Sequence, residues 1–286
     1  MKKVAIVTDT TACIPQKQVE KYGIEVVPMT IIFGDKTYRD GIDISPTEFY
    51  TLLRQAKKLP TTSHPSPVHF LDAYRSASQR APNILCITIS SHFSASFNSA
   101  QLAMEMAKTA LPNTVIEVLE CGTAAAGQGL AALAAAKAAD SGRNLNEVVE
   151  TAKNTMERVN LFATLDTLRY LARGGRVPQA AALVNSLLGI KPIFSLNHGE
   201  AHTVALPRTI PSAMKRILKT MEQKVVKGQP FHVAVMHADA LDKAVVLRNR
   251  ISSQFDCAEL FITEFTPVMG VHTGPGLVGV AFYSGD

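Results

Sequence analysis

Ile84-Leu85-Cys86-Ile87-Thr88-Ile89-Ser90-Ser91-His92-Phe93-Ser94-Ala95-Ser96 passes from an almost unbroken apolar run into a segment crowded with serine hydroxyls. A run of this length without polar alternation marks a strand buried on both faces, the kind found in parallel sheets. Beyond it, Phe97, Ala100, Leu102, Met104, Ala107 and Leu111 recur at helical spacing until Pro112 stops them. Val115 to Leu119 then reads as the next strand, followed by an alanine-rich helix to about Ala139. Upstream, Val4-Ala5-Ile6-Val7 has the same buried-strand character and runs into Thr8-Asp9-Thr10-Thr11, read as a polar loop. Such strand and helix alternation predicts an α/β fold with a mainly parallel sheet flanked by helices. Ligands of such sheets gather at the carboxyl ends of the strands, where both hydroxyl-rich segments fall.

Ile24 to Pro28 and Thr30 to Phe33 read as further strands, and Gly34-Asp35-Lys36 as a turn into Thr37-Tyr38-Arg39. Ser45-Pro46-Thr47-Glu48 is a capping box with proline at the first helical position, so a helix is expected to about Lys58. Pro60-Thr61-Thr62-Ser63-His64-Pro65-Ser66-Pro67 follows it. Its prolines fix their own φ and push the residues before them out of the helical region, which predicts an ordered, extended loop holding its hydroxyls in place. Ser66 and Pro67 open the next helix.

The second half changes character. After a helix near Asn146 to Arg158, Leu161-Phe162-Ala163-Thr164 reads as a strand, and Gly174-Gly175 ends the helix carrying Arg169 and Arg173. Lys191 to Leu196, a turn at Asn197-His198-Gly199-Glu200, and Ala201 to Leu206 form a hairpin. Helices near Pro211 to Val225 and Leu241 to Phe255 alternate with strands near Phe231 to Met236, Glu259 to Phe265 and Leu277 to Tyr283. A length of 286 residues exceeds the usual single core, so two units are expected: an N-terminal α/β domain over 1–160 and a C-terminal α/β domain over 161–286.

Composition removes several function classes. Hydrophobic residues make up 47% and charged residues 19%, as in a well-folded chain with a large core. The net charge is +5, yet aromatics are only 6%, tryptophan is absent and no basic block occurs, which argues against a nucleic-acid partner. Cys13, Cys86, Cys121 and Cys257 lie far apart and without zinc-ligand spacing, so reduced cysteines and no metal are expected. The apolar segment after Met1-Lys2-Lys3 is too short for a signal-peptide core. Leu130 to Ala139 is interrupted by Lys137, so no membrane insertion and a cytoplasmic location are expected.

Each candidate site has a plain structural alternative. Ser90, Ser91, Ser94 and Ser96 stand where a helix N-terminus offers free N–H groups to a carboxylate or phosphate, although a cap alone needs only one of them. A nucleophilic Ser94, with His272 or His92 as base, lacks the flanking glycines of a nucleophile elbow. Gly127-Gln128-Gly129-Leu130-Ala131-Ala132 matches a dinucleotide fingerprint on paper, but it begins well after its strand and reads better as close helix packing. His198 and His202 have i,i+4 spacing in a turn rather than on a helix. Arg176 follows the helix-ending glycines and suits either solvent or an anion. Gly270-Val271-His272-Thr273-Gly274-Pro275-Gly276 reads as a glycine-rich loop whose turn geometry leaves His272 and Thr273 unexplained.

In this order, Thr8-Asp9-Thr10-Thr11, Tyr38-Arg39-Asp40-Gly41-Ile42-Asp43-Ile44, Pro60 to Pro67, Ser90-Ser91 with Ser94, Gly174-Gly175-Arg176-Val177, Lys191-Pro192-Ile193 and His272-Thr273-Gly274-Pro275-Gly276 resemble the DegV family of bacterial fatty-acid-binding proteins. The resemblance spans essentially the whole chain, as one unit over about 3–284. It implies a carrier rather than an enzyme, with a long-chain fatty acid between two domains and no further cofactor. By the same resemblance, Thr62 and Ser94 hold the carboxylate, with Thr61, Ser63 and Ala95 beside them. A separate dihydroxyacetone-kinase-like fatty acid kinase would make the acyl phosphate for phospholipid synthesis, and Arg176 and His272 are its candidate phosphate or kinase contacts. The alternatives are a serine esterase using Ser94 and a lipid sensor regulating another protein. Ala95 and Ser96 depart from the family's glycine and threonine, and Glu120 and Cys121 stand at its acidic and hydroxyl positions. Energetically the tail dominates such a site, since about 14 methylenes at about 0.8 kcal/mol each supply on the order of 10 kcal/mol before ordering costs.

Overall fold

The computed structural model of the protein describes residues 2–178, 180, 189–197 and 199–285. Strands β1 (Val4–Asp9), β2 (Glu25–Val27), β6 (Asn83–Thr88) and β7 (Val115–Glu120) form a parallel sheet in the order β2-β1-β6-β7. The unbroken apolar runs follow from burial on both sides. Ala5, Val7, Ile84 and Cys86 pack with the helices Pro67–Ser78 and Ser96–Ala110, whereas Val4, Ile6, Leu85 and Ile87 pack with Ala126–Asp140 and Leu145–Arg158. The order reverses between β1 and β6, so the loops leaving these two strands flank the crevice where such folds bind ligands.

A second, six-stranded sheet is built from β8 (Asn160–Thr164), β9 (Ile193–Asn197), β10 (Glu200–Ala205), β11 (Phe231–His237), β12 (Glu259–Glu264) and β13 (Val278–Ser284). Its order is β10-β9-β8-β13-β11-β12, antiparallel except for the parallel β11 and β12 pair. Between the sheets lies the helix Ala126–Asp140, which packs against β1 on one side and β11 and β13 on the other. Its small side chains permit that double contact. A Cβ on Gly129 would stand 2.5 Å from the Ala12 carbonyl oxygen, and one on Gly127 2.8 Å from Thr123 Oγ1. The G-x-G-x-x-A pattern is therefore a packing device. An ion pair from Lys137 to Glu259, at 2.6 Å, ties the same helix to β12.

Four stretches differ from the sequence reading. Thr8 and Asp9 belong to β1, and Thr10–Ala12 is a buried 3-10 turn, not a polar loop. Its polar groups are satisfied inside: Thr8 donates to the Ile87 carbonyl at 2.7 Å, and the Ile89 N–H donates to Asp9 Oδ2 at 3.2 Å. The capped helix stops at Gln55, short of Lys58. Thr61–Ser63 is not a loop but strand β5, which joins β3 (Thr30–Phe33) and β4 (Lys36–Arg39) in an antiparallel sheet, with Thr62 opposite Ile31. Finally, Pro267–Thr273 is a helix, so His272 and Thr273 sit in its last turn and the loop begins only at Gly274. Pro267 at the first helical position is the start signal that the downstream glycines obscured. His198, and with it the His198 and His202 pairing, lies outside the described residues.

Among the described residues, no helix is long and apolar enough to cross a membrane, and no group of His, Cys, Asp and Glu could hold a metal ion. Substituting Gly129 by alanine is expected to cost about 1–3 kcal/mol through overpacking against Ala12. A lowered urea midpoint with an unchanged slope would register it; an unchanged midpoint would contradict the close approach.

Candidate functional site

A cavity of about 220 Å³ lies between the two sheets, lined mainly by apolar side chains. Leu161, Ala163, Phe194, Leu196, Phe265 and Leu277 come from the C-terminal half. Alternation explains their selection. On β8, Leu161 and Ala163 turn toward the cavity while Phe162 turns to the opposite core, and on β9 Phe194 and Leu196 do the same. Thr62, Ser63, Ser94, Ala95, Arg176 and His272 also line the cavity. Thr61 does not. It borders an adjoining cleft of about 150 Å³ with Arg173, Arg176 and the other side of His272.

The two hydroxyl clusters meet different fates. From β5, Thr62 Oγ1 lies 2.9 Å from His272 Nε2, joining the β3–β5 sheet to the helix Pro267–Thr273. Thr61 and Ser63 are exposed, and the Ser63 hydroxyl donates to the His64 carbonyl at 3.4 Å. Within 90–96, Ser90 and Ser91 do not form an open anion seat, because a fixed carboxylate already occupies them. Glu120 Oε1 accepts from Ser90 Oγ at 3.0 Å, Ser91 N at 2.9 Å and Ser91 Oγ at 3.0 Å. Ser94 Oγ instead pairs with Ser96 Oγ at 3.0 Å and accepts from the Ser96 N–H at 3.3 Å. Ala95 has φ −78°, so its methyl costs no left-handed strain.

These pairings bear on the hydrolase alternative. His92 Nδ1 faces Ser90 Oγ at 3.3 Å and His272 faces Thr62, so the hydrogen-bond partner found at Ser94 is a serine, not an imidazole base.

His272 is held neutral. Burial pushes its pKa down to about 4, and the Arg176 guanidinium adds to the shift. Among the described residues its buried Nδ1 has no hydrogen-bond partner, and it packs against Gly174, where a Cβ would lie 2.8 Å from it. A buried donor left unpaired costs more than an acceptor left unpaired, which favours the tautomer protonated on Nε2. In that tautomer Nε2–H donates to Thr62 Oγ1, and the threonine O–H is free to donate to an anion in the cavity. Arg176 donates from Nη1 to the Gly174 carbonyl at 2.8 Å and stays exposed. The sequence explained Gly174 as a helix end; its second task, admitting the His272 ring, needed the fold to be seen.

The profile of the DegV family, described as that of an uncharacterised protein, matches residues 3–285. The chain belongs to the DegV family. A DegV domain-containing protein of Streptomyces coelicolor is 34% identical over 285 residues, covering 99% of both chains. Among solved structures, a fatty-acid-binding DegV family protein from Thermus thermophilus superposes with a TM-score of 0.91 at 29% identity, covering 99% of this chain and 100% of its own. A stearic acid-binding protein from Eubacterium ventriosum gives 0.90 at 25% identity, covering 99% and 98%. The two-domain α/β fold of this DegV chain is thus the fold of proteins that bind fatty acids.

The His272 shift sets a pH dependence. Its folded pKa of about 4 lies below the ordinary 6.5, so the histidine's contribution to stability is complete above about pH 6.5 and is lost as pH falls through 4. Asp40 acts in the opposite sense, because burial raises its pKa from 3.8 to about 6 and its contribution is lost as pH rises through that value. The two oppose each other between pH 4 and 6, so the ring itself must be followed. NMR titration is expected to show His272 neutral at pH 7 and titrating near pH 4; a midpoint near 6.5 would contradict its burial.

Proposed function

We propose that this protein binds a long-chain fatty acid in the cavity between its sheets and presents it to a separate fatty acid kinase. In this reading Thr62 and Ser94 donate to the carboxylate, with Ser63 and Ala95 beside them in the lining and Thr61 facing the adjoining cleft, and the acyl chain lies along the apolar wall. The bound acid is the only small molecule required. The observation that carries the reading is a mostly apolar cavity whose lining includes the Thr62 and Ser94 hydroxyls, the first of them hydrogen-bonded to a neutral histidine. A buried carboxylate without donors would be expelled or protonated, and hydroxyl donors are what hold it charged. The two domains, dividing near residue 160, form the two walls. Arg176, exposed at the cavity rim and in the adjoining cleft, is assigned to the transferred phosphate or to the kinase, as is the outer face of His272.

Native mass spectrometry of the purified protein, followed by extraction, is expected to find one long-chain fatty acid per chain. Replacing Thr62 and Ser94 by alanine removes two donors to a charged group, each worth about 1.5–3 kcal/mol, and should weaken retention by about 100-fold or more. Normal retention by the folded double variant would overturn the head-group assignment. Arg176→Ala is expected to retain fatty acid and to lower acyl-phosphate formation about tenfold with a fatty acid kinase and ATP; unchanged acyl-phosphate formation would remove Arg176 from that role.

A further inference from the structure

Asp40 is fully buried and far in sequence from the cavity, yet it acts on the helix that delivers His272. The helix Pro267–Thr273 lacks a cap of its own: Thr266, at its N-cap position, makes no side-chain capping bond. Asp40 Oδ1 supplies one across 228 residues, accepting from the Val268 N–H at 3.1 Å. The freed Thr266 hydroxyl donates to the Thr10 carbonyl at 3.2 Å. Gly270 is pressed against Phe49 and Tyr50, where a Cβ would lie 2.7 Å from each ring system. This short helix of the C-terminal half is therefore seated on three elements of the N-terminal half, and Asp40 fixes its first turn. His272 follows one turn later, and its ring must reach Thr62 at 2.9 Å while passing Gly174 with no slack.

We propose that Asp40 is a positioning residue for fatty-acid binding: by capping the helix Pro267–Thr273 it sets the depth at which His272 meets Thr62, and so orients the Thr62 O–H toward the carboxylate. The inference rests on the head-group reading given above. An anionic acceptor at a helix N-terminus also gains from the helix dipole, which is why a carboxylate suits the task. The geometry at Asp40 itself is fixed from both sides, since its own N–H donates to the Met29 carbonyl at 2.8 Å. Among the described residues its second oxygen, Oδ2, has no hydrogen bond of good geometry, although the Thr10 and Thr266 hydroxyls lie beside the carboxylate, so the Val268 N–H is the backbone bond that ties it to the helix.

A double-mutant cycle tests this. Fatty-acid affinity is measured for the wild type, Asp40→Ala, His272→Ala and the double variant, with Thr62→Ala alongside. Asp40→Ala is expected to weaken binding about tenfold in the wild-type background and less than about twofold when His272 is already alanine, because its effect passes through that ring. Asp40→Asn keeps an oxygen for the Val268 N–H and should restore binding to within about threefold of wild type. Nitrogen-15 shifts of the His272 ring should move in Asp40→Ala and return in Asp40→Asn. Additive losses in the cycle, or an unmoved ring signal, overturn the proposal. Should Asp40→Ala fail to fold, Thr266→Val, which cuts the companion anchor to Thr10, carries the same expectation of weaker binding that vanishes without His272. If Thr62→Ala itself leaves affinity unchanged, the head-group reading has failed; if it weakens binding while the Asp40 and Thr266 variants do not, only the positioning role has.

Discussion

One hydrogen bond, from His272 to Thr62, ties together residues 210 positions apart and depends on most of the architecture. Thr62 is presented because β5 pairs with β3 in a register that puts it opposite Ile31. His272 arrives on a short helix seated against the 3-10 turn after β1, the Asp40 carboxylate and the Phe49 and Tyr50 rings. Gly174 leaves the imidazole room and nothing more. The contact therefore exists only when the β3–β5 sheet, the C-terminal helix and the glycine-ended helix Arg169–Gly174 are all in place.

Burial decides what the bond can do. In water an imidazole would share its proton near neutrality, but in this wall desolvation and Arg176 keep it neutral. A neutral ring can hold a hydroxyl in one orientation without adding a charge that must itself be balanced inside the protein. The apolar remainder of the cavity contributes through area, and the polar groups set position and ionisation state on top of that affinity. The helix Ala126–Asp140, squeezed between both sheets, keeps the two walls at a fixed separation, with alanine and glycine as the residues thin enough to lie there.

Much of this was legible in the sequence because burial leaves patterns. Continuous apolar runs gave away the parallel strands, the Ser45 and Glu48 capping box fixed a helix start, and the alanine-rich segment announced a helix to about Ala139. Hydroxyls between prolines marked Thr61, Thr62 and Ser63 together, and only the family resemblance singled out Thr62 among them. What escaped were features made by long-range pairing. No local signal tells an extended threonine loop from an edge strand, and none could assign Ser90 and Ser91 to Glu120. Glycines at 270, 274 and 276 suggested a loop, although Gly270 serves helix packing and φ is positive only at the other two. The apolar wall was hidden for the same reason: alternation on β8 and β9 is readable, but which face meets the other half is not.

Where a fatty acid sits decides the roles of Thr62, Ser94 and His272. A crystal structure of the protein grown with a saturated long-chain fatty acid addresses it most directly. A carboxylate oxygen is expected within about 3 Å of Thr62 Oγ1 and of Ser94 Oγ, with the His272 bond to Thr62 intact and the tail passing Leu161 and Phe194. An acid bound elsewhere, or one in this cavity with its carboxylate turned away from both hydroxyls, would contradict those roles.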